Sequence, residues 1–440
     1  MLGPGSRLAA SNTECRLAVC NTLINLLSHE IFRKTLIVGN LVKPFLSMAY
    51  PHPPESSQAD RELDEDVEAE ANLLQCRQRV LKALYSICAM PEFTTAYPLS
   101  TELVKSCLTS VRKPHLANTK YRAEYDGELP PLSGACVILT SLTQSEQIAR
   151  SLVEDHRVHE RLPELLHNVD DQDILYPAVN FVGRLALSAS NKLILIQYGL
   201  LGAMRRFFTQ DTTPTVQREA AITVRRLVTG SPEVLAITRG QGTNPSMDLA
   251  AKDNELVAAL ALLQRTDDAS LRLEIGRLAI EICRIIWKSA DGRPEDAEEN
   301  FTTTVGSYGQ AFGDAVAFVI LHGENPGARG EGWFGFAMMS VWTTGRALIR
   351  TCLNGEAMLV EVKKVVASGS GPAYQNLRVL LAKMDALPVG DPLLSFTAFP
   401  YPYLHLTFPQ KDAFLPETQC ALENAAEQMG LAPIWPKEHH

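Results

Sequence analysis

The sequence predicts an all-α fold made of stacked helical repeats, a solenoid. The segment Ala178-Val-Asn-Phe-Val-Gly-Arg184-Leu-Ala is followed 42 residues later by Ala220-Ala-Ile-Thr-Val-Arg-Arg226-Leu-Val. Apolar residues recur at helical spacing, and the alternation of apolar and polar residues that marks half-buried strands is nearly absent. Apolar residues make up 46% of the 440 residues, which is enough for a continuous core.

A repeat of 42 residues accommodates three helices, the unit length of armadillo-type proteins. We therefore predict an armadillo-type right-handed α-solenoid over residues 1–387. Such stacks form a long groove rather than a closed pocket, so the architecture favours binding over catalysis.

The same aliphatic helix face, with a polar residue at one fixed point, recurs elsewhere along the chain. These polar residues are Asn25, Ser86, Ser141, Arg284 and Arg346. Most of their intervals exceed 42 residues, which predicts insertions between helices. The expected insertions are an acidic, disordered segment over 51–72, the run Asp291–Phe301 and the glycine-rich stretch Gly323–Gly332.

Local signals predict where individual helices begin and end. Thr213-Pro214 is typical of an N-cap followed by proline at the first helical position, and Gly199 and Gly230 are candidate helix ends. Solenoids end in capping repeats, and Met1–Gly5 predict none. Prolines and aromatic residues dominate residues 388–440, so we expect an extended strap followed by a short helix over Pro416–Met429.

Charge and composition limit the class of partner. The net charge of −9 argues against nucleic acid or an anionic membrane as the main partner, because both attract basic surfaces. Eight carboxylates against one arginine between Glu55 and Glu70 favour a solvated loop, with attraction of a polybasic tail as the alternative. No secretory signal or membrane span is apparent, which predicts a cytoplasmic protein. The nine scattered cysteines predict buried, reduced thiols.

No motif predicts catalysis, a metal or a cofactor. His156 and His159 are spaced three apart but lack a third ligand, so a solvated helix face is expected. Gly323–Gly332 lacks the Lys-Ser/Thr of a phosphate-binding loop, and we expect an inter-helix loop there.

In an armadillo unit the third helix lines the groove, and residues four apart on it point the same way. The candidate groove residues are the pairs Asn180/Arg184, Ile222/Arg226, Ile280/Arg284 and Trp342/Arg346. Arginine offers a fork of donors suited to carboxylates, carbonyls and aromatic faces. The alternative is that these arginines form ion pairs between repeats, with neighbours such as Glu219 and Glu281.

Two stretches resemble the repeats of the small-GTPase GDP dissociation stimulators, the smgGDS family. One is Asn180-Phe-Val-Gly-Arg-Leu-Ala-Leu-Ser-Ala-Ser-Asn191-Lys192 with Gln197-Tyr-Gly-Leu-Leu, and the other is Glu274-Ile-Gly-Arg-Leu-Ala-Ile-Glu-Ile-Cys-Arg284. The resemblance covers residues 170 to 286. It implies an all-helical protein that binds Rho- and Ras-type GTPases, as an exchange factor and as a chaperone of their prenylated, polybasic C-termini. We expect the chain to be a monomer.

An arginine-lined groove would repel a polybasic tail, so that tail is expected to meet carboxylates at the repeat edges. The candidate tail contacts are Asp170, Asp171, Asp173, Asp267 and Asp268. Two other interpretations stay open: an armadillo scaffold or adaptor without GTPase-directed activity, and an enzyme fused to helices.

Overall fold

The computed structural model describes residues 4–47, 63–113, 129–210, 212–230, 255–289, 294–305 and 308–384, with five further residues between 421 and 428. These residues form helices, turns and loops, with no strand among them. The predicted all-α class is therefore confirmed for this part of the chain. The chain divides into two compact units, Met1–Ala203 and Met204–His440.

The described helices of the first unit are short, apart from two long ones. They are α1 (Pro4–Leu27), α2 (Glu30–Val38), α3 (Val42–Ser47), α4 (Leu63–Cys88), α5 (Pro91–Ala96), α6 (Glu102–Arg112), α7 (Leu132–Leu142), α8 (Glu146–Glu154), a 3-10 turn (Val158–Glu160), α9 (Leu162–Asn168), α10 (Gln172–Leu185) and α11 (Ala189–Gln197). Helix α12 (Leu200–Thr209) contains the point where the two units divide.

The described helices of the second unit continue the same order. They are α13 (Pro214–Val228), α14 (Glu255–Leu263), α15 (Ala269–Ser289), α16 (Pro294–Val305), α17 (Gly309–His322), α18 (Pro326–Met339), α19 (Thr343–Leu353), α20 (Glu356–Ser368) and α21 (Gly371–Met384).

The described helices form a repeating pattern in which every third helix packs against the next one of its kind, except that only one described helix, α14, lies between α13 and α15. In the first unit, α1, α4, α7 and α10 contact one another in that order. In the second unit, α13, α15, α18 and α21 do the same. Apolar side chains fill the space between them, so the core of each unit is a continuous strip.

The local signals for helix ends hold where the structure describes them. Helix α13 begins at Pro214, whose fixed φ suits the first helical position. Gly199 and Gly230 follow α11 and α13 with φ of 86° and 75°, a left-handed conformation that glycine adopts without steric cost. Both predicted helix ends are confirmed.

Two of the predicted insertions are helices, which corrects the phasing of the later repeats. The run Asp291–Phe301 extends into α16, which begins at Pro294. The glycine-rich stretch lies mostly in α18, a third helix whose N-cap Asn325 accepts a hydrogen bond from the amide of Ala328 at 2.9 Å. Its glycines allow close approach: a Cβ added at Gly332 would lie 2.6 Å from Cγ1 of Ile320 on α17.

The acidic segment predicted over 51–72 overlaps α4, because that helix already begins at Leu63. Residues 48–62 lie outside the described residues, as does most of the predicted strap over 388–440. Near the C-terminus Leu422 and Ala425 are helical and buried. Among the helices that the structure describes, none is long and apolar enough to cross a membrane.

Candidate functional site

The first predicted groove pair lies on the last two turns of α10. Arg184 is exposed, and Asn180 is half-buried. Oδ1 of Asn180 is buried and accepts no hydrogen bond from the described residues. The pair therefore combines an exposed cation with an unsatisfied acceptor, and buried acceptors are usually satisfied.

The acidic candidates lie at the starts of two third helices. Asp171 is the N-cap of α10 and accepts a hydrogen bond from the amide of Asp173 at 2.9 Å. Asp268 precedes α15 and accepts from the amide of Leu271 at 2.7 Å. Both carboxylates thus stabilise helix starts, where negative charge is favourable. Asp170 and Asp267, beside them, are exposed.

Asp173 differs from the other candidates because it is partly buried. Burial raises the pKa of its carboxyl group, and the nearby Asp171 carboxylate raises that pKa further. Arg77 and Gln78, both on α4, act in the opposite direction. The negative charge of Asp173 is therefore disfavoured by its own burial and by Asp171.

Three predicted groove residues in the second unit are buried, which corrects the expectation that they face a partner. Ile280 is fully buried under α18, where a Cβ added at Gly335 would lie 2.8 Å from its Cγ1. Trp342 is also fully buried and stacks on Phe301 at 4.5 Å between ring centroids. The physical reason differs between the two: Gly335 allows α18 to pack closely over Ile280, whereas Phe301 on α16 covers Trp342.

Arg346 lies in the first turn of α19 rather than on a third helix. It is buried, and its Nη1 donates to the carbonyl oxygens of Ser340 at 3.1 Å and Val341 at 3.3 Å, just after α18 ends. These contacts satisfy carbonyls at a helix C-terminus, where positive charge is favourable. Its observed role is therefore structural.

Ile222 and Arg226 lie half-buried on α13. The Nη1 of Arg226 is 4.0 Å from the Glu219 carboxylate, at the limit of an ion pair. Glu219 is one of the two partners expected if these arginines form ion pairs within the chain.

Arg284 takes part in a network of six charged side chains on α13, α15 and α18. The charged network consists of Arg225, Glu274, Arg277, Glu331, Arg284 and Glu281. Arg225 is 3.1 Å from Glu274, and Glu274 is 2.6 Å from Arg277. Arg277 and Arg284 both face Glu331, at 3.7 Å and 3.5 Å. Arg284 also donates to Glu281 at 2.8 Å.

The network joins three successive third helices and mixes acidic, basic and aromatic side chains. The guanidinium of Arg284 lies 5.1 Å from the centroid of the Phe334 ring, within the range of a cation–π contact. Arginine and large aromatic residues are enriched among residues that dominate binding energies at protein interfaces.

The sequence reasoning missed Arg225, Arg277, Glu274 and Glu331 as site residues. A signal was present for Glu274 and Arg277: this pair is spaced three residues apart, like Glu281 and Arg284, and the two pairs are seven residues apart on one helix face. The contact from Arg225 to Glu274 crosses between helices that are far apart in sequence, so spacing alone does not predict it.

The described residues contain no group of three or more His, Cys, Asp and Glu side chains placed to hold a metal ion. His159 is 5% exposed and contacts the Tyr198 ring edge-on, which corrects the expectation of a solvated face. Apart from Cys15, the cysteines that the structure describes are buried, and burial raises the pKa of Cys136 to about 12. Such a thiol is protonated and weakly nucleophilic at neutral pH.

Comparisons with known proteins do not assign a family. No protein-family model matches the sequence, and no curated protein matches it. One solved structure that matches is the crystal structure of an engineered protein, with a TM-score of 0.43 and 16% sequence identity, over 64% of this chain and 98% of that one. A likeness at this level carries no argument about function.

Proposed function

We propose that this chain binds a partner protein along its stacked third helices. The observation that carries the proposal is the charged network, which extends over α13, α15 and α18 without interruption. A row of half-exposed arginines, one of them beside the Phe334 ring, suits a protein surface better than a small molecule, because it spans several helices.

The partner that we propose is a small GTPase of the Rho or Ras type. The support is the resemblance to the smgGDS family, whose two stretches fall on α10 to the start of α12 and on α15. Three helices per repeat is also the organisation expected of armadillo proteins. The chain would then act as an exchange factor, as a chaperone of a prenylated, polybasic C-terminus, or as both, and would do so as a cytoplasmic monomer.

The polybasic tail and the body of the GTPase would meet different residues. Asp170, Asp171 and Asp173 at the start of α10, and Asp267 and Asp268 before α15, would attract the tail. The half-exposed arginines would contact the body of the partner. Exposed charge pairs are screened by salt, so the tail contribution should weaken as ionic strength rises.

A scaffold or adaptor without GTPase-directed activity is the second candidate. The observation that favours it is that two predicted groove arginines are engaged within the chain: Arg284 with Glu281 and Glu331, and Arg346 with backbone carbonyls. Arginines already paired in this way serve stability, which any stacked-repeat protein needs.

One experiment separates the two candidates. The immobilised full-length chain is mixed with Rho- and Ras-type GTPases, each prenylated, unprenylated and lacking its basic tail, and release of a fluorescent GDP is followed in parallel. Our proposal expects retention of at least one GTPase, stronger with its tail, and faster GDP release or sequestration of the prenylated form. If none of the GTPases is retained, the GTPase proposal is wrong and the scaffold interpretation replaces it.

A further inference from the structure

The charged network has two layers. The side chains of Glu274 and Glu281 are only 10% and 7% exposed, whereas those of Arg225, Arg277 and Arg284 are 30%, 25% and 34% exposed. Glu274 and Glu281 therefore lie underneath the guanidinium groups, whereas Glu331, 26% exposed, lies at the same level as the arginines. Burying a carboxylate is unfavourable unless it is paired, so each arginine is held in place by the acid beneath it.

Arg284 keeps N–H donors that its ion pairs do not use. Arg284 directs Nη1 to Glu281 and Nη2 to Glu331, while its face lies over Phe334. A guanidinium has five N–H donors in a fixed plane, which is more than these contacts consume. Because the plane is already oriented, a further carboxylate can bind with little additional loss of side-chain entropy.

The charge of the third helices differs between the two units. Helices α13, α15 and α18 contain eight lysines and arginines and four glutamates, a net charge of +4 in a chain of net charge −9. Helices α4, α7 and α10 of the first unit contain four cations and six carboxylates, a net charge of −2. A basic surface is thus concentrated on one set of helices in an acidic protein.

We infer that the α13–α15–α18 surface binds a carboxylate-rich segment of a partner protein. Arg225, Arg277 and Arg284 take its Asp and Glu side chains as hydrogen-bonded pairs, and Phe334 contacts neighbouring apolar groups. Within the charged network itself three arginines face three glutamates, so the excess positive charge of these helices lies on residues outside the network. Carboxylates taken one at a time through short hydrogen bonds fit the three arginines.

This inference rests on the proposed protein-binding function and adds the chemistry of the partner surface. It also separates two roles, because an acidic segment bound by the arginines leaves a basic tail to the carboxylates at the start of α10 and before α15. The acidic ligand and the basic tail should therefore bind without competing for the same residues.

Fluorescence anisotropy of labelled peptides on the full-length chain tests the inference. The probes are a peptide of alternating Glu and Leu, its Gln/Leu and Lys/Leu counterparts, and an oligouridine RNA. We expect the Glu/Leu peptide to bind and the Gln/Leu peptide to bind far more weakly. The double variant Arg277→Gln with Arg284→Gln should weaken Glu/Leu binding by roughly tenfold or more, the loss expected for charge-assisted hydrogen bonds.

The matched control is Arg272→Gln, on the same helix but over the Phe318 ring at 4.3 Å and outside the network. It should leave peptide affinity unchanged, and Arg225→Gln on α13 provides a second test if the double variant unfolds. Equal binding of the Gln/Leu peptide, an equal loss in the Arg272 variant, or tighter binding of the RNA at the same residues would each overturn the inference.

The outcome is separable from that of the proposed function. If a GTPase binds and the Glu/Leu peptide does not, acidic recognition is wrong and the proposed function stands. If the peptide binds through these arginines and no GTPase binds, the partner class is wrong and the recognition chemistry stands.

Discussion

Glu298 on α16 caps the helix that starts 45 residues later at Thr343. Its carboxylate accepts hydrogen bonds from the amide of Thr343 at 2.6 Å and from the amide and hydroxyl of Thr344 at 3.0 Å and 3.1 Å. The residue at the N-cap position, Trp342, has no side chain able to accept such a bond. The cap of α19 is therefore supplied by the preceding α16, and it joins the first helices of two adjacent repeats.

We expect Glu298→Ala to destabilise the second unit by about 1–2 kcal/mol, the range for loss of a helix cap. The measurement is urea unfolding followed by circular dichroism. Glu299→Ala, at the neighbouring position on α16, is the control and should change the unfolding midpoint little. An equal effect of the two substitutions would mean that the cap contributes nothing specific.

The glycines of α18 provide a second test of packing. A Cβ at Gly332 would lie 2.6 Å from Cγ1 and 2.9 Å from the amide nitrogen of Ile320, so Gly332→Ala should destabilise the fold by about 1–3 kcal/mol. A Cβ added at Gly202 on α12 would meet open space, and Gly202→Ala should stabilise by up to about 1 kcal/mol through helix propensity. Thermal unfolding of the two variants checks both signs, and stabilisation by Gly332→Ala would contradict the close contact.

The central repeats could be predicted from the sequence because they carry no insertion. The 42-residue interval between Arg184 and Arg226 matches α10 and α13, which both serve as third helices. Prediction failed at α18, because glycine lowers helix propensity and is usually a loop signal. Only the packing of Gly332 against Ile320 explains why glycine is required inside that helix.

The candidate site was predictable in part for a related physical reason. Helical spacing in the sequence indicates which residues lie on the same face of a helix, and on that basis it places Arg284 on the half-exposed side of α15. It does not show how deep the face lies, and Ile280, four residues earlier, is covered by α18. The Asn325-Pro326 pair, an N-cap with proline at the first helical position, was the available signal for α18.

His159 predicts a pH dependence for the first unit. Burial lowers the pKa of its imidazole below the usual 6.5, and this effect outweighs the opposing Glu160 carboxylate. Below pH 6.5 the imidazole takes up a proton more readily in the unfolded chain than in the folded one. The contribution of neutral His159 to stability is therefore fully present above pH 6.5 and is lost as the pH falls through the lowered pKa. We expect His159→Phe, which keeps an aromatic ring beside Tyr198, to reduce this loss.

The measurement is the urea midpoint of the natural chain and of His159→Phe at a series of pH values from about 7.5 down to 5. The two curves should converge on the neutral side and separate on the acidic side, with the variant more stable there. Parallel curves over the whole range would exclude His159 as the source of the acid sensitivity.

Asp171 allows the proposed tail contact to be separated from helix capping. Asparagine caps a helix about as well as aspartate does, so Asp171→Asn should preserve the bond to the amide of Asp173 and the fold while removing one negative charge. Asp171→Ala removes both the capping hydrogen bond and the negative charge, and we expect it to lower the free energy of unfolding by about 1 kcal/mol.

If a polybasic tail binds at the start of α10, Asp171→Asn should lose affinity for a lysine-rich peptide without losing stability. That loss should be largest at low salt, because exposed charges are screened beyond a Debye length of about 8 Å at physiological ionic strength. Isothermal titration calorimetry at two salt concentrations measures the loss of peptide affinity. Asp267→Asn is measured in the same way, because it also removes one exposed carboxylate, the one before α15. Unchanged affinity in both asparagine variants would remove these carboxylates from the tail site and leave Asp171 as a helix cap alone.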